Sequence, residues 1–287
     1  MRHSLRAKPM PAYMQSPDVA KRKPVTVPGL RAMKARGEKI VVLTCYDASF
    51  AAHMEAAGVD VALVGDSLGN VVQGQTSTVP VTLDQMVYHA SLVARGLSAT
   101  LQVVDLPFMQ FRDPATALAA SARLMAEGGA AMVKLEGGSE WTCEVIAALA
   151  SHEVPVCAHL GLTPQSVHKM GGYRMQGKTD DAAARLRAEA RAVTDAGAEL
   201  LVLESIPAAL AADITRALPI PTIGIGAGAD CDGQVLVCYD MLGITPGRRP
   251  KFSKDFLAGR GSIREAIAAY ADDVRAGRFP GPDQIAG

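Results

Sequence analysis

From Lys39 onward the chain alternates between two kinds of segment. Short, nearly continuous apolar runs rich in β-branched residues occur at KIVVLTCY (39–46), VALVGDS (61–67), TLQVVDLPF (100–108), AMVKLEG (131–137), VPVCAHLG (154–161), LLVLESIP (200–207), PTIGIGAG (221–228) and QVLVCYDMLGI (234–244). Most of the stretches between them are Ala-rich and amphipathic. A strand that faces water on one side shows alternation, whereas a continuous apolar run is buried on both faces, as in a parallel sheet covered by helices. Eight such runs separated by helical stretches predict a (β/α)8 TIM barrel. An open flavodoxin-like sheet normally uses only about five or six strands.

The helices are punctuated as this reading requires. Residues 47–58 end at Gly58, 82–96 begin at Thr82 and stop at Gly96, and 114–128 follow Asp113 with Pro114 as the first helical residue. Thr and Asp cap helix N-termini, Pro suits the first turn, and Gly ends helices. A further helix spans 180–197. The gap 229–233 is too short for a helix, so the seventh unit is degenerate. Two more helical patterns flank the barrel: an N-terminal helix at 26–37, placed to plug its base, and a C-terminal helical extension at 262–276.

Charge divides the chain at its start. Residues 1–24 carry Arg2, Arg6, Lys8, Lys21, Arg22 and Lys23 against Asp18 alone, with four prolines and no apolar run. This stretch reads as a basic, disordered leader, neither signal peptide nor membrane span, ahead of one domain over 25–287. The whole chain balances 29 bases against 29 acids, which gives no electrostatic footprint for nucleic acid or an anionic membrane. Cys45, Cys143, Cys157, Cys231 and Cys238 include no C-x-x-C pair. They read as small apolar residues in a reducing cytoplasm and argue against structural zinc. Trp141 and the methionines likewise read as packing.

The candidate chemistry lies near the C-terminal ends of the apolar runs, where barrel enzymes build their sites. The second run ends in Asp66 and Ser67, the third carries Asp105, the fourth Lys134 and Glu136, the fifth His159 and the sixth Glu204. Lys134 and Glu136 are two apart, so their side chains point the same way. A buried charge is costly unless paired or bound to a metal, and one lysine cannot neutralise four acids. Asp66, Asp105 and Glu136 fall on consecutive strands and offer hard oxygens of the kind that suit Mg²⁺. Mg²⁺ in turn suits the ketone and carboxylate of a 2-oxo acid. Glu204 stands apart from these three, with no evident partner, and is available as a general base on the carbon beside that ketone. Ser67 is placed to hold the substrate carboxylate and Lys134 to offset its charge. His159 is a second candidate base. GIGAG (224–228) reads equally as a tight turn or as a phosphate-binding turn. The long segment 159–179, with His168, Lys169, Arg174 and Lys178, reads as a lid or rim that helps hold an anionic co-substrate.

At these residues the sequence resembles the ketopantoate hydroxymethyltransferase (3-methyl-2-oxobutanoate hydroxymethyltransferase) family. The matching blocks are VGDSLGNVVQGQTSTVPVTLDQMVYH (64–89), DLPFMQ (105–110), VKLEGG (133–138), PVCAHLGLTPQSV (155–167), GGYRMQGK (171–178), LVLESIP (201–207) and the stretch from GIGAG to DMLGI (224–244). The resemblance implies metal ligands at Asp66, Asp105 and Glu136, substrate contacts at Asp66, Ser67, Asp105 and Lys134, and a catalytic proton acceptor at Glu204. It further implies hydroxymethyl transfer from 5,10-methylenetetrahydrofolate to 3-methyl-2-oxobutanoate through a Mg-bound enolate. The product would be 2-dehydropantoate, on the way to pantothenate and coenzyme A, made by a cytoplasmic homodecamer. Two other readings compete. One is a relative in the phosphoenolpyruvate mutase and isocitrate lyase superfamily, though the K-K-C-G-H loop of the lyases is missing. The other is a barrel that binds 2-oxo acids without turnover, which would not need Glu204.

Overall fold

The computed structural model describes residues 22–285, so most of the basic leader lies outside the described residues. Eight parallel strands, β1 (Ile40–Thr44), β2 (Val61–Val64), β3 (Leu101–Asp105), β4 (Met132–Glu136), β5 (Val156–Gly161), β6 (Leu200–Glu204), β7 (Thr222–Ile225) and β8 (Gly233–Leu236), hydrogen-bond in chain order. β8 pairs with β1, which closes the barrel. The helices follow as α1 (Val27–Arg36), α2 (Ala48–Ala56), α3 (Leu68–Val71), α4 (Leu83–Gly96), α5 (Pro114–Ala126), α6 (Glu140–Ser151), α7 (Val167–Met170), α8 (Asp180–Asp195), α9 (Ala208–Ala217), α10 (Cys238–Met241) and α11 (Ile263–Arg275). Among the described residues no helix is long and apolar enough to cross a membrane.

The helix ends are set by side-chain chemistry the sequence displays. The Thr82 hydroxyl accepts from Gln85 N while the Gln85 side chain accepts from Thr82 N, a reciprocal cap that starts α4. Asp113 caps α5 ahead of Pro114, and Asp47 caps α2. No helix separates β7 from β8. One run departs from expectation. Of 234–244 only the first part is strand, because the barrel is already closed where Leu236 meets Leu43. There the Cys238 N–H donates to the Thr44 hydroxyl and the chain turns into α10.

The barrel has two apolar compartments. Alternate strand residues such as Val41, Leu43, Val64, Val104, Leu135 and Leu203 face the helices. The others, including Ile40, Val42, Val61, Leu101, Val103, Met132, Leu200 and Val202, fill the interior. α1 closes the base, with fully buried Leu30 packed among these interior side chains. Arg22, in the last part of the basic leader, is anchored there too, donating to the carbonyls of Gly58 and Val59. The C-terminal helix α11 is built into the wall: it packs on β1 and α2, and the buried Tyr270 hydroxyl donates to the carbonyls of Val42 and Gln234.

Candidate active site

Side chains alternate along a strand, so the interior file of each strand continues upward to the barrel mouth. On β3 that file runs Leu101, Val103, Asp105; on β4, Met132, Lys134, Glu136; on β5, Cys157, His159; on β6, Leu200, Val202, Glu204. The same spacing that packs the core therefore aims the charged residues into one cavity of about 600 Å³ at the C-terminal ends of the strands. Register brings them side by side, with Asp105 opposite Lys134, Glu136 opposite His159, and Gly161 opposite Glu204. Asp66 and Ser67 lie just past the end of β2, in the turn that enters α3. All six residues proposed from sequence for the metal, substrate and base line this cavity.

The cluster is buried and short of positive charge. Asp66, Asp105, Lys134, Glu136 and His159 each expose 5% or less of their surface. Lys134 Nζ donates to Asp105 Oδ1 at 2.7 Å, and Asp105 Oδ2 accepts from Asp66 N at 3.0 Å. Burial, reinforced by Asp105 and Glu136, pushes the Asp66 carboxyl up to about 8. Burial would lower Lys134, but Asp105, Glu136 and Asp66 outweigh it and hold the ammonium above its ordinary value. Burial and Lys134 would also lower His159, yet Glu136 and Glu204 raise it to about 9. Glu204 is therefore not isolated, contrary to the expectation from sequence. Its Oε2 lies 3.2 Å from His159 Nε2, and His159 Nδ1 lies 3.5 Å from Glu136 Oε1. The sequence hid this pair because His159 and Glu204 meet only across the β5–β6 register. Close approach there needs Gly161, at φ 96°, where a Cβ would overlap the Glu204 carbonyl. Immediately after Glu204, Ser205 takes a left-handed φ of 48°, a conformation that non-glycine residues adopt only when their surroundings enforce it.

Two partners were not legible in the sequence. Gln165, ninety-nine residues from Asp66, donates from Nε2 to Asp66 Oδ2 at 2.8 Å and to the Leu106 carbonyl at 3.0 Å, and its backbone N–H donates to Glu136 Oε2. Buried Tyr46 pairs its hydroxyl with that of Ser67 at 2.9 Å. Neither residue stands out by charge or spacing. The rim differs from expectation as well. His168, Lys169, Arg174 and Lys178 are exposed and do not line the cavity, to which the 159–179 segment contributes His159, Leu162, Pro164, Tyr173 and Met175. Arg248 and Lys251, beyond β8, join Lys134 as cations lining the cavity. In GIGAG, Gly226 abuts the Phe252 ring and Gly228 abuts Ala208, so packing accounts for both glycines.

A divalent cation suits these residues. Asp66, Asp105 and Glu136 present only hard oxygens, and buried Glu136 Oε1 has no hydrogen-bond partner. Among the described residues no three His, Cys, Asp or Glu side chains converge into a finished metal cage. Mg²⁺ held by Asp66, Asp105 and Glu136 would have to draw the three carboxylates together as it binds, with water filling its remaining positions.

Comparison with known proteins shows the family. The ketopantoate hydroxymethyltransferase family model matches residues 24–282. A relative from Burkholderia thailandensis named 3-methyl-2-oxobutanoate hydroxymethyltransferase is 58% identical over 94% of this chain and 98% of its own. Another of that name, from Paraburkholderia phymatum, is 57% identical over 91% of this chain and 96% of its own. Among solved structures, the phosphoenolpyruvate phosphomutase of Streptomyces platensis subsp. rosaceus superposes with a TM-score of 0.59 at 15% identity, over 76% of this chain and 83% of that one. A phosphonopyruvate hydrolase complex with oxalate and Mg²⁺ gives 0.57 at 13% identity, over 89% and 98%. At such identities these two show a shared barrel and nothing finer. The family match and the two close relatives together place this chain in the ketopantoate hydroxymethyltransferase family, as an enzyme that transfers one-carbon units.

Proposed function

We propose that the chain transfers a hydroxymethyl group from 5,10-methylenetetrahydrofolate to 3-methyl-2-oxobutanoate and forms 2-dehydropantoate. The observation that carries this reading is the opposition of Glu204 to the Asp66–Asp105–Glu136 cluster within one cavity, in a chain 58% identical to a relative bearing that enzyme name. The cavity floor, Leu63, Val202, Ile225 and Val235, is apolar and matches a branched carbon chain. The Ser67 hydroxyl, fixed by Tyr46, is placed for the substrate carboxylate, and Lys134 offsets its charge. Mg²⁺ held by Asp66, Asp105 and Glu136 would supply Lewis acidity at the ketone, which makes the neighbouring C3–H acidic.

Glu204 then removes the C3 proton, and His159 at 3.2 Å fixes the carboxylate's direction. The freed electron pair at C3 forms a bond to the donor's methylene carbon. That carbon–carbon bond replaces one of the two carbon–nitrogen bonds of the methylene bridge and a water oxygen replaces the other, while the two folate nitrogens take up the proton held by Glu204 and one proton of that water. The test is proton NMR of 3-methyl-2-oxobutanoate in D₂O with protein and Mg²⁺ and without folate. The C3–H signal disappears if the chain enolises its substrate. Persistence of that signal at substrate-saturating protein overturns the reading in favour of a binding protein.

A further inference from the structure

A second cavity, of about 290 Å³, lies beside the first and shares Glu136 as a wall. It is lined by Phe108, Met109, Phe111, Arg112, Trp141, Gln165 and Ser166 in addition to Glu136. Its volume sits at the low end of the ~300–1,000 Å³ of small-molecule pockets. Three of its side chains are large apolar groups left open to solvent: Phe108 is 41% exposed, Met109 48% and Trp141 47%. The reading of Trp141 as packing is thus corrected: its ring meets Phe111 but remains half-exposed. Those two rings stack with centroids 5.9 Å apart and an interplanar angle of 12°. Gathered apolar exposure of this kind marks a binding surface rather than chance. The chain is also strained here, since Met109 holds a left-handed φ of 64° at the turn that presents Phe108 and Phe111.

A polar feature specifies what this surface takes. Gln165 spends both amide hydrogen bonds on Asp66 and Leu106, so its Oε1 is a buried acceptor with no donor. The pocket thus offers an aromatic face, an unmet acceptor and, at the rim, the half-exposed Arg112, whose guanidinium lies 3.4 Å from the equally solvent-facing Asp113. A ligand that meets all three is a flat heteroaromatic ring with N–H donors on its edge and an anionic tail. Aliphatic oxo acids lack the face, and sugars lack both face and charge.

We propose that this second cavity seats the bicyclic pterin ring of the folate donor, stacked on Phe108 and the Phe111–Trp141 pair, with an N–H of the ring donating to Gln165 Oε1. This rests on the function proposed above. It places the donor across the Glu136–Gln165 wall from the oxo acid, so that the one-carbon unit enters the reaction cavity from the β3–β4 side.

The test uses the full chain with Mg²⁺ and two variants, Trp141→Ala and Phe108→Ala, whose targets are exposed enough that neither change empties the core. Calorimetric titration with tetrahydrofolate is paired with steady-state KM values for 5,10-methylenetetrahydrofolate and for 3-methyl-2-oxobutanoate. Loss of a stacking face predicts roughly a tenfold weaker Kd for tetrahydrofolate and a similar rise in the donor KM, with the oxo acid KM unmoved. Unchanged donor affinity in both variants overturns the assignment. Unchanged affinity with a smaller particle mass by light scattering also overturns it and makes the patch an interface between copies. Equal rises in both KM values overturn it as well, since they mark a general distortion. A wild-type chain that exchanges C3–H and binds tetrahydrofolate, with both variants binding it equally well, removes this assignment alone, whereas one that does not exchange or binds no tetrahydrofolate removes the proposed function with it.

Discussion

Glu204 and Gln165 show how much depends on single side chains at the mouth. Glu204→Gln keeps the shape of the side chain and its neighbourhood to His159 but removes the base. Because Glu204 belongs to neither the Lys134–Asp105 pair nor the Gln165 contacts, the exchange should leave binding of Mg²⁺ and oxo acid nearly intact. Deuterium exchange at C3 should fall by about 10²–10⁴-fold, the usual contribution of a general base. Exchange at the wild-type rate would show that the base lies elsewhere, at a metal-bound hydroxide or at His159. Loss of oxo acid binding with a folded barrel would make Glu204 an anchor for substrate instead. Gln165 has a different part, since it braces Asp66 and Glu136 from outside the strand ends through its side chain and its backbone.

At the scale of elements, the strand periodicity explains what could be read in advance. All eight strands and the capped helices α2, α4, α5 and α8 fall where apolar runs and cap residues put them. Asp105, Lys134, Glu136 and Glu204 were legible for the same reason, because a period of two carries an interior file from the core to the mouth. Tyr46, Gln165, Arg248 and Lys251 were not. Each reaches the site through a loop or a contact between distant segments, and no local pattern records such a meeting. The base of the barrel holds a similar hidden contact. Glu55, at the end of α2, is 6% exposed and accepts from the backbone N–H groups of Ser98, Ala99 and Thr100, which fixes the turn into β3. Burial alone would raise its pKa, but these backbone bonds outweigh burial and lower it below 4.5. The stabilisation is therefore present above the unfolded-state value near 4.5 and fades as pH falls through the lower folded-state value. Glu55→Gln should cost about 2–4 kcal/mol at about pH 7, by urea unfolding, since an amide turns a donor toward three donors. The gap between variant and parent should narrow as pH falls below 4.5, toward the lower folded-state value at which the parent's carboxylate protonates. A gap that does not change with pH would assign the cost to packing.

Across the whole molecule, stability and chemistry occupy opposite ends. The base is sealed by α1, with Leu30 inside the barrel, and by the contacts of Arg22 and Glu55. The mouth instead gathers Asp66, Asp105, Glu136 and Glu204 against Lys134 and His159. Buried like charges work against folding, so a cation that binds only the folded mouth should stabilise the entire barrel. For a ligand at a hundred times its Kd the gain is about 2.7 kcal/mol, which for a chain of this size raises Tm by roughly 5 °C. Thermal unfolding of chelator-treated protein should move up by that amount when Mg²⁺ is added and return when it is removed. Asp105→Asn breaks the proposed donor set while keeping an acceptor for Lys134. Its Mg²⁺ affinity should fall at least about tenfold, or about 1.4 kcal/mol, and the Tm rise at a fixed Mg²⁺ concentration should shrink accordingly. A Tm in the parent that ignores saturating Mg²⁺ would remove the cation from the mouth altogether. A Tm rise that survives Asp105→Asn in full would place the cation at other oxygens, and calorimetry on the two proteins would show which of these holds.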